Sequence, residues 1–94
     1  MSKTKIIIPG KDGEEKEYTI NEAIKYEIER GTELYGNKNL PDEWLTILAE
    51  ESGEVAKDVN ELRLHPHAAV TIKPKLKYEL IQVIAVSLRF INNL

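Results

Sequence analysis

The stretch from Pro41 to Leu64, PDEWLTILAEESGEVAKDVNELRL, limits what this chain can fold into more than any other segment. It has no proline after its first residue and one glycine, Gly53, so it reads as one long helix. Pro41 suits the first helical turn, where its missing N–H is not needed, and Asp42 and Glu43 favour the same end electrostatically. At about 100° per residue, Trp44, Ile47, Leu48, Val55, Val59 and Leu62 gather on one side. Glu51 falls between Ile47 and Leu48 and is expected to face inward. Glu54 lies beside Ile47 on the rim, Glu50 sits further out, and Asp58 returns to the apolar side.

An ionised carboxylate on a core face costs several kcal/mol unless a basic partner, a proton or a bound cation compensates it. No arginine or lysine is expected at the matching inner positions. Carboxylates three and four residues apart stand on neighbouring turns and can converge on one hard cation. The plain alternative is a solvated acidic face.

A chain of 94 residues supports one domain with a modest core, for which oligomerisation is a common remedy. Its 41% hydrophobic and 31% charged residues are those of a soluble globular protein. The net charge of −3 argues against direct nucleic-acid binding by backbone neutralisation. With no cysteine, disulfides and thiolate metal sites are excluded. No apolar run reaches the ~20 residues of a membrane span, so the expected setting is cytoplasmic without a membrane partner.

Residues 1–20 read as an N-terminal arm or hairpin and residues 21–94 as a helical domain. In the first, KIIIP (Lys5 to Pro9) and Tyr18-Thr19-Ile20 flank a turn over Gly10 to Gly13, which suits a β-hairpin or a partly ordered arm. Asn21 is the expected N-cap of a helix over Glu22 to Tyr35, stopped by Gly36. Leu40 is placed to staple the entry to the Pro41 helix. Pro66 ends that helix, and Pro74 reads as the first-turn proline of a last helix over Lys75 to Asn92. Leu76, Leu80, Val83, Ile84, Phe90 and Ile91 form a broad apolar face there, with Ile81, Ala85 and Leu88 continuing round it. A helix so apolar calls for more than one neighbour, plausibly another subunit. The expected class is therefore all-α: an antiparallel helical bundle, completed by oligomerisation, with a short N-terminal β-hairpin.

Glu79 sits near the edge of the last helix's apolar face, with Gln82 three residues on. A short connection makes the two long helices antiparallel, so Glu79 is expected to face Glu51 and Glu54. Three carboxylates and an amide oxygen suit one Mg²⁺ with waters completing its shell. Lys73, Lys75 and Lys77 flank the expected start of this helix, where positive charge is unfavourable with the helix dipole alone; they are either solvated or an anion site.

Glu50-Glu51-Ser52-Gly53-Glu54 matches the EExxE motif of the MazG-like all-α nucleoside triphosphate pyrophosphohydrolases, and Glu79-Leu80-Ile81-Gln82 lies where that family has ExxD. WLTILAEESGEVA and ELIQVIAVSLRFI are also similar to small MazG-like proteins, many of them phage or prophage encoded. The resemblance covers about Glu22 to Leu94. It implies a MazG-like bundle, a homodimer or homotetramer, and hydrolysis of an NTP or dNTP to the monophosphate and pyrophosphate. It carries metal ligation by Mg²⁺, or Mn²⁺, onto Glu51, Glu54 and Glu79, and catalytic roles onto Glu50 and Glu51. The fourth ligand, normally aspartate, is Gln82, which removes one negative charge and lowers the expected metal affinity and water activation. Lys75 and Lys77 are expected to steady the leaving pyrophosphate. Trp44 is expected either to stack on a nucleobase or, the commoner fate of an inward tryptophan, to pack in the core. The alternative function is a weak or inactive module of the same fold for nucleotide binding or protein interaction.

Overall fold

The structure is a computed structural model that describes residues 4–10 and 12–94. Residues 1–3 of the expected arm, and Lys11 of its expected turn, lie outside the described residues. The order of elements is β1 (Ile6–Pro9), β2 (Glu15–Tyr18), α1 (Ile20–Tyr35), α2 (Pro41–Leu64), a 3-10 turn (Pro66–Ala68) and α3 (Ala69–Asn92). The chain is mostly helical, with a small two-stranded antiparallel sheet at its N-terminal end.

β1 and β2 pair with Ile6 opposite Tyr18 and Ile8 opposite Lys16. Strand alternation turns Ile6 and Ile8 to one face, where both are buried against Ala23 and Ile81. A lone hairpin is marginal in water, and burying two isoleucines supplies about 1.5–3 kcal/mol each. Gly13, at φ 78°, makes the reversal that an L side chain resists. The second strand ends at Tyr18, earlier than the Tyr18-Thr19-Ile20 run suggested, because Thr19 caps α1. Its hydroxyl accepts from the Glu22 N–H at 3.2 Å, and the Glu22 carboxylate accepts from the Thr19 N–H at 2.8 Å. This reciprocal box starts the helix ahead of Asn21. Gly36, at φ 68°, ends it as expected, its N–H donating to the Thr32 carbonyl.

α2 runs over the residues that its prolines predict. Leu40 does not staple its entry: the side chain is 63% exposed, and its N–H instead donates to Glu43 at 2.8 Å. α3 departs further from the sequence reading. It begins at Ala69, so Pro74 lies inside it and not at its first turn. Ile72, buried upstream of the proline, gives that turn its packing, and the carbonyl that a residue-74 N–H would have bonded belongs to the exposed Val70.

α3, and not α2, is the element on which the rest is assembled. It packs against α1, α2 and β1, while the backbones of α1 and α2 stand apart. Its buried face is Ile72, Glu79, Ile81, Ala85, Val86 and Arg89. Leu80, Ile84, Leu88 and Ile91, expected on or beside its apolar packing face, lie on the opposite side and are 37–63% exposed. On α2 only Trp44 and Asp58 are fully buried, and Val59 is half exposed. Among the described residues no helix is long and apolar enough to cross a membrane.

Candidate functional site

The space between α1 and α2, floored by α3, is a cavity of about 460 Å³. α1 contributes Glu27, Arg30 and Gly31, α2 contributes Ile47, Glu50 and Glu51, and α3 contributes Gln82, Val86 and Arg89. The cavity exists because both outer helices lean on α3 without meeting. Trp44 on Phe90 and Lys75 on Asp58 set α2 and α3 antiparallel. That register puts Gln82 level with Glu51 and Glu79 level with Glu54.

The expected site residues divide into two groups along the α2–α3 seam. Glu50, Glu51 and Gln82 line the cavity. Glu51 is half buried, and burial pushes its carboxyl above the usual range. The charges of Glu27, Glu54 and Glu50 push it the same way, and Arg30 opposes them. Glu79 is buried further along α3 beside Asp58. Its carboxyl is pushed up to about 7 by burial first, then by the hydrogen bond with Asp58 and the Asp58 charge; Lys75 opposes and Glu54 adds. Glu54 is exposed and acts on both groups. Among the described residues, no three His, Cys, Asp or Glu side chains are grouped closely enough to hold a metal ion.

Several expectations about charge partners change. Inner acids do have basic neighbours: Lys75 Nζ stands 3.3 Å from Asp58 and 3.7 Å from Glu79. Lys75 is thus committed to this pair, and Lys77 is exposed and lines no part of the cavity. Trp44 is 1% exposed, stacked on Phe90 with the Arg89 guanidinium 4.9 Å from its centroid, so it is a core side chain and not a surface for a base.

Three side chains of the cavity wall, Glu27, Arg30 and Arg89, escaped the sequence reading. Glu27 is 4% exposed and takes both Nε and Nη2 of Arg30 on Oε2, at 3.1 and 2.8 Å, and the Tyr78 hydroxyl on Oε1. Burial, with Glu27 alongside, raises the Tyr78 phenol well above its ordinary value and keeps it a donor. Arg89 donates to the Gly31 and Gly36 carbonyls at 3.2 and 2.6 Å and to Asn37 at 3.2 Å. The signal for Glu27 was its place between the small residues Ala23 and Gly31, at helical spacing on one face.

Oxygen donors from Glu51, Glu54, Glu79 and Gln82 suit Mg²⁺ or Mn²⁺ by their hardness. One observation fits a cation there: Glu79 Oε2 and Asp58 Oδ2 are buried, and among the described residues no third residue donates to either. A proton shared between the two satisfies them equally, which gives a stability prediction. Glu79 titrates higher in the fold than in the unfolded chain, so its contribution is complete below about pH 4.5 and is lost as pH rises through about 7. Glu79→Gln offers Asp58 an amide donor at every pH. The variant should remove the fall in thermal midpoint between pH 4.5 and 7.5 and gain about 1 kcal/mol at pH 7.5. Parallel midpoint-against-pH curves for the two proteins contradict this. Comparison of the chain with protein-family models, curated proteins and solved structures finds no match.

Proposed function

We propose that the chain is a Mg²⁺-dependent nucleoside triphosphate pyrophosphohydrolase of the MazG-like type. The observation that supports this reading is a nucleotide-sized cavity lined by Glu50 and Glu51 of one half-motif and Gln82 of the other. Glu51, Glu54, Glu79 and Gln82 would hold the ion, which requires the two groups of the seam to draw together around it, and when bound it supplies the charge that neutralises the triphosphate. Glu50 and Glu51 hold the attacking water against the α-phosphorus. Burial first, and then like charges, raise the Glu51 carboxyl, which favours it as a proton acceptor. As the water oxygen bonds to the α-phosphorus, its proton passes to the glutamate. The bond to the α–β bridging oxygen breaks, and pyrophosphate leaves.

A second reading, a nucleotide-binding or protein-interaction module without turnover, is favoured by the ungrouped acids and by the missing charge at Gln82. A panel of common and modified triphosphates with Mg²⁺ or Mn²⁺ separates the two by pyrophosphate release. Gln82→Asp should raise turnover about tenfold by restoring the fourth negative ligand. No release from either protein on any substrate decides for the silent module. The Leu80, Ile84, Leu88 and Ile91 stripe supports a second copy of the chain covering α3 in the same cytoplasmic protein. Light scattering should then give a dimer or larger at micromolar concentration, and a monomer contradicts it.

A further inference from the structure

We propose that Arg30, held by Glu27 and Tyr78, grips the phosphate chain of the bound nucleotide, in place of the lysines at the start of α3. This rests on the nucleotide reading of the cavity and names the group that recognises the anion. Arg30 lies on the cavity wall across from Glu50 and Glu51, and its side chain is 37% exposed. An arginine has five N–H donors. Two of them, on Nε and Nη2, go to a single oxygen of Glu27. The other three have no protein partner among the described residues, and they are a planar fork of the kind that binds phosphate oxygens in pairs.

The holder of this fork is built for position. Glu27 is nearly inaccessible, and its other oxygen is closed by the Tyr78 hydroxyl from α3. The guanidinium is therefore oriented before any ligand arrives, so little of its freedom remains to be lost on binding. The other cation of the lining, Arg89, is 7% exposed and has Nε on Asn37 and Nη2 on Gly31 and Gly36, which leaves it only Nη1, so Arg30 is the more open of the two. Lys75 is held by Asp58 and lies outside the lining. Glu50 and Glu51 repel a bare anion, so a phosphate chain on this wall is expected to arrive with its divalent cation.

The test uses a triphosphate with a methylene α,β-bridge plus Mn²⁺. Its Kd is measured on the unaltered chain, Arg30→Lys, Arg30→Met and, as a charge removed from α1 outside the cavity, Lys25→Met. KM and kcat on the ordinary triphosphate and thermal midpoints are taken alongside. Arg30→Lys keeps a cation on Glu27 and guards against loss of the fold. Both Arg30 variants should raise Kd and KM about tenfold or more, with a smaller change in kcat, while Lys25→Met changes neither. A folded Arg30→Lys that binds as tightly as the unaltered chain overturns the assignment and leaves the pyrophosphohydrolase reading standing. An unaltered chain that neither binds nor hydrolyses any triphosphate overturns both.

Discussion

Replacing Arg89 by methionine should destabilise the chain by about 3 kcal/mol and lower its thermal midpoint by about 10–25 °C. Methionine keeps much of the arginine's length and apolar stem, so the loss isolates the guanidinium. That group ties the end of α1 to α3 through two backbone carbonyls, Gly31 and Gly36, and through Asn37. It also covers Trp44, the largest of the fully buried side chains, adding a cation–π attraction. Without it, acceptors in a part-buried place lose their donors. Burial of Arg89 pulls its pKa down, a sign that the charge is held at some expense, so the net loss is less than the sum of the contacts. A chain of this size is stable by roughly 5–14 kcal/mol in all, which makes 3 kcal/mol a large fraction. Gly31→Ala should act in the same direction, because a Cβ there meets Arg89 Nη1 at 2.5 Å, and Arg89 is pinned by its own bonds. Urea unfolding followed by circular dichroism reads both. A loss for Arg89→Met below about 1 kcal/mol contradicts this role.

Glu51→Gln should behave in the opposite way: turnover collapses while the fold holds. Under the pyrophosphohydrolase reading, Glu51 is both a donor to the ion and a proton acceptor for the water. Loss of a positioned base alone lowers kcat by about 10²–10⁴-fold. Stability should not fall. The Glu51 carboxyl is raised in the fold, so its favourable contribution is present below the ordinary carboxylate pKa and disappears as pH rises past the folded value. At neutral pH a neutral amide therefore relieves repulsion from Glu27, Glu54 and Glu50. Rate and thermal midpoint falling together would assign Glu51 to structure instead.

How much was readable in the chain depends on the distance between partners. α2 announced its limits through Pro41 and Pro66, and α1 its end through Gly36, because these signals are local. The hairpin was legible from KIIIP and its glycines, yet its place in the core depends on Ala23 and Ile81, far along the sequence. Pro74 misled for the same reason: its local preference for a first turn yields to the burial of Ile72 two residues earlier. The acids of α2 and α3 could be placed by periodicity, and the cavity does unite Glu50, Glu51 and Gln82. Arg30 and Arg89 were not legible as site residues. Tyr78 closes Glu27 across 51 residues, and Arg89 reaches Gly31 across 58, separations that no helical wheel connects.

Direct titration of Mn²⁺, with the free ion read by electron paramagnetic resonance, reaches the central claim without depending on the substrate. A saturable site is expected on the unaltered chain, tightened by a triphosphate and weakened at least about tenfold in Glu51→Gln. Mn²⁺ that stays free at every protein concentration, with or without nucleotide, or that binds Glu51→Gln as tightly as the unaltered chain, contradicts it.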